Sequence, residues 1–162
     1  MTIILGIDPG SIITGYGIIK SNGNSLQYLT SGSIHLDKKP FVQRLTQIYT
    51  SLAAVVSEYQ PDEVAIEGVF VNANVNSALK LGQARGAAIV AVASEGVTVA
   101  EYSPRQIKQS IVGYGGAEKS QVAKMVKLLL KLQSSPQADE ADALAIALCH
   151  AYHRKSALRG IL

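Results

Sequence analysis

The sequence predicts a mixed α/β fold: one five-stranded sheet, the first three strands antiparallel and the last two parallel, with helices on both faces. Three observations predict it. The apolar runs Ile3-Ile4-Leu5-Gly6-Ile7 and Val64-Ala65-Ile66 are unbroken, as expected of central strands covered on both sides. The periodic pattern changes along the chain in the order βββαβαβαα. Both apolar runs close on a carboxylate, Asp8 and Glu67, and in open α/β sheets sites gather outside the carboxyl ends of strands.

Each element has its own signal. Residues 2–8 read as a buried strand, ended by the turn residues Pro9-Gly10-Ser11. A second strand runs from Thr14 to Lys20. The Asn22-Gly23 turn signal then implies a hairpin into a third strand at 25–35. Phe41, Leu45, Ile48, Leu52, Val55, Val56 and Tyr59 recur at helical spacing, and Pro61-Asp62 breaks the pattern. Strand four covers 63–67. Residues 69–76 read as a loop, followed by a helix at 76–94 and a fifth strand at 96–101. Ser103-Pro104 starts a helix with a cap and a first-turn proline. The glycine-rich stretch 113–116 is a loop, 117–132 a basic helix, and 136–154 a final helix opened by Ser135-Pro136 in the same way. Nothing repeats internally, and 1–162 reads as a single domain.

Composition narrows the function. The N-terminal apolar run has no preceding basic residues and stops at Asp8, so a signal peptide is not expected. The apolar stretch from Gly86 to Ser94 is far short of the ~20 residues a membrane span needs. A lone cysteine, Cys149, fits a reducing, cytoplasmic setting. No Cys/His cluster has zinc spacing. The formal charge is +3. Setting aside Asp8, Glu67, Asp139 and Asp142 leaves 15 Lys and Arg against 8 acids, a net of +7 that would attract a polyanion.

Those four acids carry the chemistry. Asp139 and Asp142, three apart, share one helix face. The residues behind them, Ala143-Leu144-Ala145-Ile146-Ala147-Leu148, are apolar all round and must be buried. Burial against the sheet would bring the acidic first turn to the ends of strands one and four. Taken singly, each acid has a structural explanation: a helix-dipole partner, a turn residue or an ion pair. Together at two strand ends and a helix start they predict a site for a hard divalent cation, which would relieve their mutual repulsion. One or two Mg²⁺ ions there suit phosphodiester hydrolysis.

The blocks GIDPGSxxTGYG (Gly6 to Gly17), AIExVF (Ala65 to Phe70), SALKLGQARG (Ser77 to Gly86), SPRQIKQ (Ser103 to Gln109), AEKSQV (Ala117 to Val122) and PQADxADALAIA (Pro136 to Ala147) run in order over nearly the whole chain. In them the sequence resembles the RuvC family of bacterial Holliday junction resolvases. The resemblance implies a ribonuclease H-like fold, a homodimer, and Mg²⁺-dependent paired nicks across a four-way DNA junction that leave 5′-phosphate ends. It implies Mn²⁺ as a substitute ion and a RuvA–RuvB branch-migration complex as partner. The family's catalytic acids fall on Asp8, Glu67, Asp139 and Asp142. Lys108 and Lys119 match its basic residues near the scissile phosphate. Phe70 takes the place of an aromatic that stacks on a base at the crossover. Gly68 departs from the pattern, which commonly has Gln after the catalytic Glu.

Arg85, Arg105, Lys80 and Lys124 are further candidates for phosphate contacts. The 76–94 helix is apolar or small around much of its girth, which suggests a partner helix across a two-fold axis. Rival readings are a resolvase-like RNA-processing nuclease of the same fold and a non-catalytic junction-binding module. Half of an actin-type sugar kinase is excluded by length. GYGGAEKS (113–120) is not a phosphate-binding P-loop, because Glu118 stands where the motif needs glycine.

Overall fold

The computed structural model describes residues 1–68 and 74–158. Five strands, β1 (Thr2–Asp8), β2 (Ile13–Asn22), β3 (Ser25–His35), β4 (Glu63–Glu67) and β5 (Thr98–Tyr102), form one sheet in the order β3-β2-β1-β4-β5. The β1–β2 and β2–β3 pairs are antiparallel. The β1–β4 and β4–β5 pairs are parallel, as the sequence predicts. Five helices complete the fold: α1 (Phe41–Tyr59), α2 (Val75–Ala93), α3 (Pro104–Val112), α4 (Lys119–Leu129) and α5 (Ala138–Leu158).

Alternation along the strands sorts two cores. Leu5 and Ile7 of β1, with Val64 and Ile66 of β4, pack with Ile48, Leu52 and Val56 of α1 and Ala84, Ala88 and Val92 of α2. Ile4 and Ala65 face the other way, into a core with Ile107 and Ile111 of α3, Val122 and Val126 of α4, and Leu144 and Leu148 of α5. By the same period of two, Asp8 shares a face with Ile4, and Glu67 shares a face with Ala65. Both acids therefore lie on the α5 side of the sheet, at its carboxyl edge.

Helix α5 lies very close to this face, and glycine makes that possible. A Cβ added to Gly6 would sit 2.2 Å from the Ala143 carbonyl oxygen, and one added to Gly15 would sit 2.2 Å from that of Asp139. The glycines of the GIDPG and TGYG segments thus let the acid-bearing helix reach β1 and β2. The turn between these strands is closed by Thr14, whose Oγ1 accepts from Gly10 N (3.2 Å) and donates to Gly10 O (2.9 Å).

Local chemistry sets the helix ends. Asn74 caps α2 by accepting from Asn76 N and Ser77 N. Ser103 and Gln106 form a capping box at α3, with Pro104 in its first turn. Several boundaries differ from expectation: β2 extends over 13–22 rather than 14–20, and α2 spans 75–93 rather than 76–94. β5 spans 98–102 rather than 96–101, because Gly96 takes φ +77° in the turn that ends α2. Helix α4 occupies 119–129 rather than 117–132, and Lys131 at φ +53° turns the chain away. Helix α5 runs 138–158 rather than 136–154: its opening bond is Ala141 N to Gln137 O, so Ser135-Pro136 belongs to the connection before it. Among the described residues no helix is long and apolar enough to cross a membrane.

Candidate active site

Three elements bring the acids together. β1 delivers Asp8, β4 delivers Glu67, and the first turns of α5 deliver Asp139 and Asp142. Asp8, Glu67 and Asp142 line a cavity of about 240 Å³ with Lys108, Lys119, Pro104, Ile107, Val122, Ala145 and Ile146. Asp139 is adjacent, its backbone against Gly15. A larger concavity of about 720 Å³ lies between β3 and the α4–α5 connection. It is lined mainly by Ser, Gln and Leu with one acid, Glu140, which Ser31 holds at 2.8 Å. The convergence of ionisable groups, rather than size, therefore marks the site.

The electrostatics fit a cation-binding pocket. Burial pushes the Asp8 carboxyl from its ordinary 3.8 up to about 7, with Glu67, Asp142 and Asp139 adding to the rise and Lys119 opposing it. Burial also raises Glu67, helped by Asp142 and opposed by Lys119 and Lys108. The Lys119 ammonium donates to Asp142 Oδ2 at 3.0 Å, and this bond raises its own pKa. Lys119 stands at the first residue of α4, where Gln121 Oε1 accepts from Glu118 N (2.9 Å) and fixes the turn.

Among the described residues no group of three or more Asp, Glu, His or Cys side chains is gathered tightly enough to hold a metal ion as the side chains stand. Lys119 takes one oxygen of Asp142. The donor set still suits a hard ion. All its ligating atoms are carboxylate oxygens, and burial has raised the cost of leaving Asp8 and Glu67 ionised, which a divalent cation would offset.

The remaining candidates occupy different settings. Lys108 lines the acid cavity. Arg105 is exposed one helical turn earlier, its stem against Gly115. Lys124 is exposed on α4. Arg85 turns inward: it donates to the Glu67 carbonyl at 3.3 Å and pairs with Glu101 at 2.6 Å. It braces the end of β4 from the opposite face. Lys80 lies over the Phe41 ring, 5.8 Å from its centroid. Phe70 lies outside the described residues. At Gly68 an added Cβ would meet only the Tyr102 carbonyl, at 3.6 Å, so the backbone has room for a side chain there.

Sequence reasoning missed a second polar cluster. His150 of α5 bonds both Glu63 at the start of β4 (2.7 Å) and the Tyr102 hydroxyl at the end of β5 (2.8 Å). Arg154 donates to the other oxygen of Glu63 at 2.7 Å.

A sheet of order β3-β2-β1-β4-β5 with carboxylates converging at its central strand ends defines the ribonuclease H-like class. The comparisons narrow it further. The family model described as crossover junction endodeoxyribonuclease RuvC matches residues 4–150, and the chain belongs to that family. The crossover junction endodeoxyribonuclease RuvC of Marinobacter nauticus is 61% identical over 159 residues, covering 98% of this chain and 91% of that protein. Its counterpart from Pseudoalteromonas atlantica is 56% identical, with 98% and 92% covered. The structure of T. thermophilus RuvC in complex with a Holliday junction substrate superimposes with a TM-score of 0.90 at 34% identity, covering 99% of this chain and 98% of that one. The yeast mitochondrial Holliday junction resolvase Ydc2 shares the fold at a TM-score of 0.63 and 12% identity.

Proposed function

We propose that this chain resolves four-way DNA junctions by metal-dependent hydrolysis of symmetric phosphodiesters, with Asp8, Glu67, Asp139 and Asp142 as the catalytic acids. The observation that carries the reading is the cavity where Asp8, Glu67 and Asp142 meet Lys108 and Lys119, inside a chain of the crossover junction endodeoxyribonuclease family. The Holliday junction held by the T. thermophilus relative supports the choice of substrate.

The chain's own residues perform distinct tasks. Asp8 and Glu67, on rigid strand ends, and Asp139 and Asp142, on the first turns of α5, would hold Mg²⁺, one or two ions per site, with Mn²⁺ as a substitute. Bound there, the metal would lower the pKa of a water and neutralise charge on the phosphate. Lys119 and Lys108 place ammonium groups beside the acids, where they bind the scissile or adjacent phosphate and offset its developing charge. Lys119 pairs with Asp142 at 3.0 Å on a largely exposed side chain, from where its ammonium can turn to the phosphate. Water adds to phosphorus and the 3′ oxygen leaves, giving 5′-phosphate and 3′-hydroxyl ends. Phe70, four residues ahead of the cap of α2, is assigned to stack on a base at the crossover. Arg105 and Lys124 extend the phosphate track over α3 and α4.

Two symmetry-related cuts call for two copies. On α2, Val75, Leu79 and Val90 are exposed, and a Cβ added to Gly82 or Gly86 would meet nothing within 4 Å. Glycine inside an exposed helix costs roughly 1 kcal/mol, and these two, four residues apart, leave a flat strip for a partner backbone. We assign this face to a homodimer interface. Family membership supports a RuvA–RuvB branch-migration complex as partner and a cytoplasmic location.

The test is nicking of a synthetic four-way junction with Mg²⁺, Mn²⁺ or chelator. Paired, symmetric, metal-dependent nicks with 5′-phosphate ends are expected. Full cleavage by Asp8→Asn would end the assignment. Gly82→Leu should shift the sedimentation coefficient toward a monomer, and retention of the wild-type coefficient would move the interface elsewhere.

A further inference from the structure

We propose that Glu63, Tyr102, His150 and Arg154 form a positioning clamp that sets the height of α5 along β4, and with it the spacing between Asp142 and Glu67. The proposal rests on the reading of those two acids as metal-binding groups.

The geometry couples the clamp to the site. Helix α5 leaves the acid cavity and runs back along the sheet, so His150, eight residues beyond Asp142, lies roughly 12 Å down the helix. Glu63 precedes Glu67 by four residues on the same strand face, roughly 13 Å away. The two intervals match. The His150–Glu63 bond therefore ties helix to strand at one end, at the register that places Asp142 level with Glu67 at the other. Tyr102 closes the frame. Its hydroxyl reaches His150, it pairs with Glu67 in the β4–β5 register, and its carbonyl accepts from Gly68 N at 2.8 Å.

Donors and acceptors are complementary throughout. Nε2 of His150 meets one Glu63 oxygen at 2.7 Å and Nδ1 meets the Tyr102 hydroxyl at 2.8 Å. Arg154 Nε occupies the second Glu63 oxygen. Glu63 and His150 side chains retain only 26% and 12% of their exposure, so these bonds are directional and partly shielded from water.

The seam between α5 and β1 needs such a device. There the helix meets the sheet through Ala143 and Ala147 against Gly6. Small residues supply few ridges of their own at this line, while Leu144 of the same helix seats against Gly17 of β2, and the polar ties of the clamp add axial definition to that packing. A shift of about 1 Å in a reacting constellation can cost roughly a hundredfold in rate.

The experiment compares wild type with Tyr102→Phe, Glu63→Gln and Asp142→Asn. Mg²⁺ alone is titrated calorimetrically without DNA, and junction cleavage is measured as kcat and KM over a Mg²⁺ series. Tyr102→Phe removes a single hydroxyl and keeps its ring packed beside His153, which guards against loss of the fold. The clamp predicts that Tyr102→Phe and Glu63→Gln each weaken Mg²⁺ binding and lower kcat roughly tenfold, leave KM for the junction unchanged, and regain rate at high Mg²⁺. A fall in thermal stability with wild-type Mg²⁺ affinity and kcat would overturn the clamp while an inactive Asp142→Asn upheld the site. Full cleavage by Asp142→Asn would overturn both.

Discussion

Replacing Asp8 by asparagine should abolish cleavage and yet stabilise the metal-free protein, by an amount that grows with pH. The folded state holds the Asp8 proton up to about pH 7, against an ordinary value of 3.8. Between those values the folded chain binds more protons than the unfolded one, so stability falls as pH rises, and the loss is complete above about pH 7. A rise of about 3 units at about 1.4 kcal/mol each sets a ceiling of about 4 kcal/mol. Asparagine carries no charge to desolvate but remains a buried polar group, so about 2–3 kcal/mol of that should be recovered. In a chain of this length that is about 4–12 °C in Tm. Glu67 is displaced in the same direction, which adds to the slope of wild type but not to the difference between the two proteins. The assay is urea denaturation of both proteins in chelator from pH 4 to pH 8. The curves should coincide near pH 4 and separate by pH 8. Adding Mg²⁺ should then raise the stability of wild type and leave Asp8→Asn nearly unmoved. Equal stability at pH 8, or an advantage independent of pH, would refute the claim that these acids are crowded at a cost.

Three other perturbations address separate parts of the argument. Lys119→Ala should lower kcat roughly 10²–10³-fold with a stability change under about 1 kcal/mol, because its ion pair with Asp142 is on an exposed side chain; cleavage kinetics and a melting curve check both. Gly15→Ala should cost about 1–3 kcal/mol and most of the cleavage activity, since the new methyl would lie 2.2 Å from the Asp139 carbonyl oxygen and push α5 off the sheet. Gly68→Gln should leave stability equal or higher by about 0.4–1 kcal/mol, because an added Cβ meets nothing closer than 3.6 Å. Any effect should appear in the cleavage assay rather than in the melting curve.

The parts of the molecule legible in the sequence were those with local signals. Unbroken apolar runs marked β1 and β4, an Asn-Gly turn marked the β2–β3 hairpin, and heptad-like spacing marked α1. The acids were legible because each sits where an apolar run ends or begins. The start of α5 was misplaced because Ser135-Pro136 mimics a cap, whereas the chain is still returning from the left-handed turn at Lys131. The inward turn of Arg85 was hidden because its partners, Glu101 and the Glu67 carbonyl, become neighbours only through parallel strand pairing. Glu63, Tyr102, His150 and Arg154 gave no signal at all, for their positions are spread over 91 residues and meet only once helix face and strand register are both set.

The same arrangement explains why the sequence signature has the form it does. A site made of like charges must be held together by something other than the charges themselves. In this chain that force is the apolar burial of α5, whose residues from Ala143 to Cys149 are essentially inaccessible to solvent. At about 25 cal/mol per Å², burying a side chain such as Leu144 or Ile146 is worth roughly 1.5–3 kcal/mol, so Leu144, Ile146 and Leu148 together offset the cost of the raised Asp8. The glycines of β1 and β2 determine how near the helix may come, and the acids take up the remaining space at the strand ends. A substitution that enlarged Gly6 would therefore damage catalysis without touching a charge, and one that removed a charge would relieve the fold without repairing catalysis.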